Sequence, residues 1–223
     1  MSIEKRKIAL IHTSPAAIAP LMRFYTDAAP ELEITNLLDD GLLRLLAAKK
    51  HATVEERLAE MLTIAVRIYG AELGMVTCSS VTKGMVERLT ALFDPPILKI
   101  DYPMAREAVG AGRRRIGVAA TFPPTIIPTS QLISEAAEEA DMSIEIIQEV
   151  MPDAYDALLS GDDEAHDELL CAGVERLAAK GVDVIVLAQI SMARVLHRLE
   201  GKINVPVLSS LHTSLSAIRS ALQ

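Results

Sequence analysis

The stretch "GMVTCSSVTKG", Gly74 to Gly84, runs an apolar segment straight into Cys78-Ser79-Ser80. A thiol can act as base or nucleophile. Hydroxyls and free backbone N–H groups can hold a carboxylate or another anion. The spacing places Cys78 just before an apparent helix start, where the dipole and N–H groups favour a thiolate. The same order of residue types returns in "VDVIVLAQISMARVLHRL", Val182 to Leu199. There Gln189 stands where Cys78 stood, Ser191 where Ser80 stood, and Arg194 where Lys83 stood. Gln189 has no proton to exchange at neutral pH. It is suited to orienting a substrate oxygen, not to acid–base work.

Further chemistry-bearing residues close other apolar runs. Thr13 and Ser14 follow "KIALIH", Thr121 follows "RIGVAA", and His212 comes soon after Ser209-Ser210. Each also has a plain structural reading. Serines such as Ser79, Ser80 and Ser191 cap helices, and Thr13, Ser14 and Thr121 can bond their own backbone in turns. His12 reads as a structural strand-end histidine. His51, His166 and His197 read as solvated, Lys83 and Arg194 as an exposed helix face, and Asp101-Tyr102 as a linker. Cys171, inside "DELLCAGVERLAAKG", reads as a buried, inert thiol. The sequence holds no closely spaced Cys/His set and no phosphate-cradling glycine loop. "GAGRRRIG" has its glycines ahead of a strand, not between a strand and a helix, so it is no dinucleotide fingerprint.

These residues need a scaffold that brings strand ends together. Eight short apolar runs alternate with longer amphipathic ones. The expected strands are Ile8–His12, Leu32–Leu37, Leu73–Cys78, Ile97–Ile100, Ile116–Thr121, Ile144–Val150, Val184–Gln189 and Val205–Ser209; helical patterns include Val54–Tyr69 and Ile126–Ala140. Such alternation predicts an α/β protein with mainly parallel sheets. Strands covered on both faces explain runs as apolar as "VDVIVLA". The chain also repeats once. "KIALIHTSP" matches "RIGVAATFP", and "PILKI" matches "PVLSS", at an offset of about 110 residues. Generic βαβ units can produce some of this. The fuller reading is two pseudo-symmetric lobes, each a four-stranded sheet flanked by helices. Residues 1–103 with 211–223 form one lobe and residues 104–210 the other. Ligands of open parallel sheets bind beyond the strands' carboxyl ends, so the active site is expected between the lobes.

The chain has 223 residues, half of them hydrophobic, 3% aromatic and none Trp. Its core must be aliphatic. A formal net charge of -8 with no basic stripe argues against nucleic acid as a partner; Arg113-Arg114-Arg115 reads as a solvated turn. No apolar stretch reaches the roughly 18 residues that span a bilayer, and no apolar segment follows the charged start, Met1 to Lys7. The expectation is a cytoplasmic protein without a membrane partner, whose two cysteines are reduced. Exposed Leu and Met residues, as on the helix at 42–48, suggest a homodimer.

In order and spacing, "VTCSS", "RIGVAAT", "VDVIVLAQ" and "VPVLSS" resemble the aspartate/glutamate/hydantoin racemase superfamily over essentially the whole chain. The resemblance implies two α/β lobes with the active site between them, no cofactor, and a small carboxylate or amino-acid-like substrate. It implies two thiols acting on opposite faces of a carbon next to a carboxylate or carbonyl, with substrate-carboxylate contacts in the turns at Thr13-Ser14 and Thr121. Cys78 matches the first thiol. At the second, the family's Gly-Cys-Thr-like run is Ala188-Gln189-Ile190 here. The expected catalytic pair is therefore Cys78 and Gln189, with substrate held by Thr13, Ser14, Ser79, Ser80, Thr121, Ser191 and His212, and with no metal. The expected activity is an isomerase, or a single-thiol decarboxylase or lyase. The rival from another class is a non-catalytic protein that clamps an acidic metabolite.

Overall fold

All eight apolar runs are strands in the computed structural model, which describes residues 5–110 and 112–223. Met1–Glu4 of the charged start and Ala111 of the Gly110–Gly112 run lie outside them. The chain divides into two units, Met1–Ile100 with Ser214–Gln223, and Asp101–Thr213.

The first unit opens with β1 (Arg6–His12), a 3₁₀ turn at Pro15–Ala17 and α1 (Ile18–Ala28). β2 (Leu32–Leu38), α2 (Leu42–Ala47) and α3 (His51–Arg67) follow. Then come β3 (Leu73–Val76), α4 (Lys83–Thr90) and β4 (Ile97–Lys99). The second unit runs α5 (Tyr102–Val109), β5 (Arg115–Ala120), a 3₁₀ turn at Pro123–Thr125, α6 (Ile126–Glu139) and β6 (Glu145–Val150). It continues through α7 (Pro152–Leu159), α8 (Asp163–Ala179) and β7 (Val184–Leu187). A 3₁₀ segment Ile190–Val195, α9 (Leu196–Leu199), β8 (Val207–Ser209) and α10 (Ser210–Ala221) complete the chain. The unit division falls inside α10.

Each unit holds one four-stranded sheet with every pairing parallel. The orders are β2-β1-β3-β4 and β6-β5-β7-β8, the same topology twice. Side chains of a strand alternate between faces. In β7, Val184 and Val186 join one apolar cluster with Ile116, Val118 and Ile133, while Ile185 and Leu187 join another with Val174 and Leu177. Both faces of that sheet are thus covered, which is why "VIVL" carries no polar residue. Gly74 of β3 marks a close approach. A Cβ there would stand 2.7 Å from Leu62 Cδ2 and 2.9 Å from Ile97 Cδ1.

The repeat extends to individual hydrogen bonds. Glu72 accepts the N–H of Lys7 at 2.9 Å, and Asp183 accepts the N–H of Arg115 at 2.8 Å. Gly74 N–H donates to Pro96 O, and Ile185 N–H to Pro206 O. Thr77 N–H donates to Ile11 O at 3.0 Å, and Ala188 N–H to Ala119 O at 2.9 Å. The last pair sits one residue before Cys78 and Gln189, so these two occupy equivalent backbone positions in their units.

Four local expectations change. β3 ends at Val76 and α4 begins at Lys83, so Cys78 lies five residues before the helix rather than directly at its start. The turn between them forms because Val81 N–H bonds Cys78 O at 3.2 Å, and Thr82 then caps the helix by accepting from Met85 N–H. Ser79 and Ser80 are not its caps, and Ser191 lies within the 3₁₀ segment. Asp101-Tyr102 does lie at the division between the units, as the start of α5 with Asp101 buried rather than as an extended linker. His166 is fully buried rather than solvated, because α8 packs that face into the core.

Candidate active site

Each unit gathers its polar residues at the carboxyl ends of its two central strands, and each is built differently. In the first unit β1 and β3 are neighbours, so Thr13-Ser14 after β1 and Cys78-Ser79-Ser80 after β3 leave the same edge of one sheet. Cys78 is 9% exposed and belongs to the apolar cluster of Ile11, Val76, Val81 and Met85. Ser79 and Ser80 are half-buried. Ser14 Oγ accepts the N–H of Ala16 at 3.3 Å and so caps the 3₁₀ turn. Thr13 is buried, beside the fully buried His12.

His12, Asn36 and Thr77 form a chain across the ends of β2, β1 and β3. His12 Nε2 lies 2.9 Å from Asn36 Oδ1, and Nδ1 lies 2.8 Å from Thr77 Oγ1. Burial pushes the imidazole pKa below 6.5, opposed by the hydrogen bond to Asn36. The ring is neutral at pH 7. Lys99, 5% exposed at the end of β4, donates to the carbonyl of Ser79 at 3.4 Å. None of Asn36, Thr77 or Lys99 stood out from sequence. The available signals were a polar residue inside "LEITNLL", a threonine beside the thiol, and a lysine inside "PILKI".

In the second unit Gln189 turns inward. Its side-chain oxygen accepts from Thr121 N–H at 2.7 Å and Phe122 N–H at 3.2 Å, and its Nε2 donates to Thr121 Oγ1 at 3.0 Å. Thr121 and Gln189 are thus brought together, as bonded partners. Ser191 is half-buried in the next turn. His212 is exposed on α10, with Nδ1 3.2 Å from Ser209 Oγ.

Elsewhere in this unit, His166 Nδ1 lies 2.9 Å from the buried carboxylate of Asp167. Asp167 also takes Arg194 at 2.9 Å and Arg198 at 3.4 Å. This cluster ties α8 to the segment after Gln189. Cys171 is buried in α8, and burial pushes its thiol pKa up. Among the described residues no group of three or more His, Cys, Asp or Glu is placed to hold a metal ion, and no helix is long and apolar enough to cross a membrane.

The sequence model of the family described as Asp/Glu/Hydantoin racemase matches residues 39–218. No curated protein matches the chain in sequence. Solved structures do. An aspartate racemase from Picrophilus torridus is 13% identical with a TM-score of 0.71, over 97% of this chain and 94% of that one. An allantoin racemase from Klebsiella pneumoniae is 16% identical with a TM-score of 0.71, over 98% of this chain and 88% of that one. An unliganded arylmalonate decarboxylase is 15% identical with a TM-score of 0.60, over 97% and 93%. At these identities the likeness establishes the fold.

Proposed function

Because the chain belongs to the Asp/Glu/hydantoin racemase family, we propose that it is a cofactor-independent enzyme moving a proton at the carbon next to a carboxylate, with Cys78 as its single acid–base thiol. The substrate is a small carboxylate or an amino-acid-like molecule. One observation carries this reading: Cys78 and Gln189 occupy equivalent strand ends, and only Cys78 bears an exchangeable proton. Cys78 takes the proton from carbon, or delivers one there after carbon dioxide leaves. N–H groups and hydroxyls of Thr13, Ser14, Ser79 and Ser80 hold the carboxylate and the enolate oxygens that develop, the kind of fixed-donor stabilisation that supplies a large share of catalysis. Gln189, closed on Thr121, has no proton to deliver at neutral pH. Chemistry is therefore confined to one face, as an isomerisation or as a decarboxylation with one-sided protonation.

The test is incubation with mono- and dicarboxylates, amino acids and hydantoins in deuterated water, following exchange at carbon by NMR. Exchange with at least one class is expected, and Cys78→Ala should reduce it by about 10²-fold or more. Undiminished exchange in Cys78→Ala removes the thiol from the mechanism. A compound that shields Cys78 from iodoacetamide but is never turned over assigns the chain to the binding class instead.

A further inference from the structure

We infer that Asn36, His12 and Thr77 form a positioning chain that holds the Cys78 turn in register with the Thr13-Ser14 turn. The inference rests on the reading of Cys78 as the reacting group. Its observation is the contrast between two equivalent strand ends of one chain.

In the first unit the chain is complete and buried at its centre. Asn36 turns its Nδ2 to the sulfur of Met22 at 3.2 Å, leaving Oδ1 toward the imidazole. An amide oxygen can only accept, so the geometry fits an Nε2–H tautomer of His12, with Nδ1 facing the Thr77 hydroxyl at 2.8 Å. The same hydroxyl lies 3.1 Å from Ile11 O. His12 is the residue before Thr13, and Thr77 the residue before Cys78. Placing an imidazole with zero exposure in an apolar sheet end carries a desolvation cost that hydrogen bonds only offset.

The second unit shows that the fold does not need this. The positions of Asn36, His12 and Thr77 are taken by Gln148, Ala120 and Ala188. Gln148 bonds Ser130 on α6 instead of a neighbouring strand. Backbone bonds at the strand ends are nonetheless the same: Asp39 N–H to His12 O matches Met151 N–H to Ala120 O, and Thr77 N–H to Ile11 O matches Ala188 N–H to Ala119 O. Two alanines build the same edge. The polar chain accompanies the thiol and is missing where Gln189 stands. Its work is to fix the thiol against the N–H groups that hold the substrate, where small displacements are expensive in rate.

Thr77→Ala copies the second unit and Thr77→Ser keeps the hydroxyl. Three readouts apply: imidazole ¹⁵N resonances of His12, iodoacetamide modification of Cys78 with Cys171 as internal control, and turnover. Wild type should show the Nε2–H tautomer, and Thr77→Ala should perturb the Nδ1 resonance. Thr77→Ala should raise Cys78 alkylation about tenfold through local opening, with Cys171 unchanged. It should lower kcat about tenfold at constant KM. Thr77→Ser should restore all three. Asn36→Leu, at the exposed end of the chain, is the second variant and should shift the same readouts the same way. Wild-type alkylation in Thr77→Ala, equal rises at Cys78 and Cys171, or failure of Thr77→Ser to rescue would each overturn the inference. If no substrate is ever turned over, the proposed function fails, while alkylation and ¹⁵N spectra still decide the positioning chain.

Discussion

Gln189 accepts the backbone N–H of Thr121 on its side-chain oxygen at 2.7 Å and returns a hydrogen bond from Nε2 to the Thr121 hydroxyl at 3.0 Å. A residue expected to reach for substrate is thus bonded within its own unit. Its amide oxygen lies on two successive N–H groups, Thr121 and Phe122, as an anion's oxygen would.

Gln189→Cys should create or raise racemisation. It adds a second thiol at the position equivalent to Cys78 and releases the Thr121 and Phe122 N–H groups. Deuterium should enter both enantiomers of an amino-acid or hydantoin substrate, whereas wild type should exchange on one face or not at all. Efficient wild-type exchange in both directions would point to another base, and His212 is the first to test.

Cys171→Ser should leave catalysis close to wild type. The thiol is buried in α8, and burial raises its pKa. Replacing it with a hydroxyl on an apolar face should cost on the order of 1 kcal/mol in denaturant unfolding. Loss of turnover in a folded variant would contradict its assignment as inert.

Gly74→Ala should destabilise the first unit. The added methyl meets Leu62 and Ile97 from two sides, at 2.7 and 2.9 Å. Overpacking of this kind costs about 1–3 kcal/mol, measurable as a lower urea midpoint at unchanged slope. An unchanged midpoint would mean that α3 and β4 can shift apart freely.

Stability should fall on acidification as Glu72 and Asp183 take up protons. The N–H of Lys7, with the Arg6 guanidinium, holds Glu72 below its ordinary value of 4.5. The N–H groups of Arg115 and Arg114 hold Asp183 below 3.8. Both carboxylates bind fewer protons folded than unfolded. Their contribution is complete above the ordinary values and disappears as pH drops through the lowered ones. Glu72→Gln with Asp183→Asn should flatten the unfolding free energy between about pH 5 and pH 3; an unchanged slope would assign the acid limb to other groups.

Much of this was legible in the residues. Apolar runs of strand length, separated by amphipathic stretches, determined eight strands and a parallel α/β class, because each strand must be covered on both faces. The repeat of "KIALIHTSP" in "RIGVAATFP" determined that the topology occurs twice. The types of Cys78 and Gln189 determined that only one of the two equivalent positions carries a thiol. Other features depended on contacts between residues far apart in sequence. The helix after Cys78 starts at Lys83 because Thr82, not a serine, caps it. His166 reads as polar in its helix and is buried because α8 lays that turn into the core. Asn36, His12 and Thr77 lie up to 65 positions apart, and parallel pairing alone makes them neighbours. Gln189 meets Thr121 across 68 positions for the same reason. Local pattern sets which segments become strands, since it reports burial and periodicity. Which polar atoms face one another at the strand ends is decided by sheet order and register, which exist only once the chain has folded.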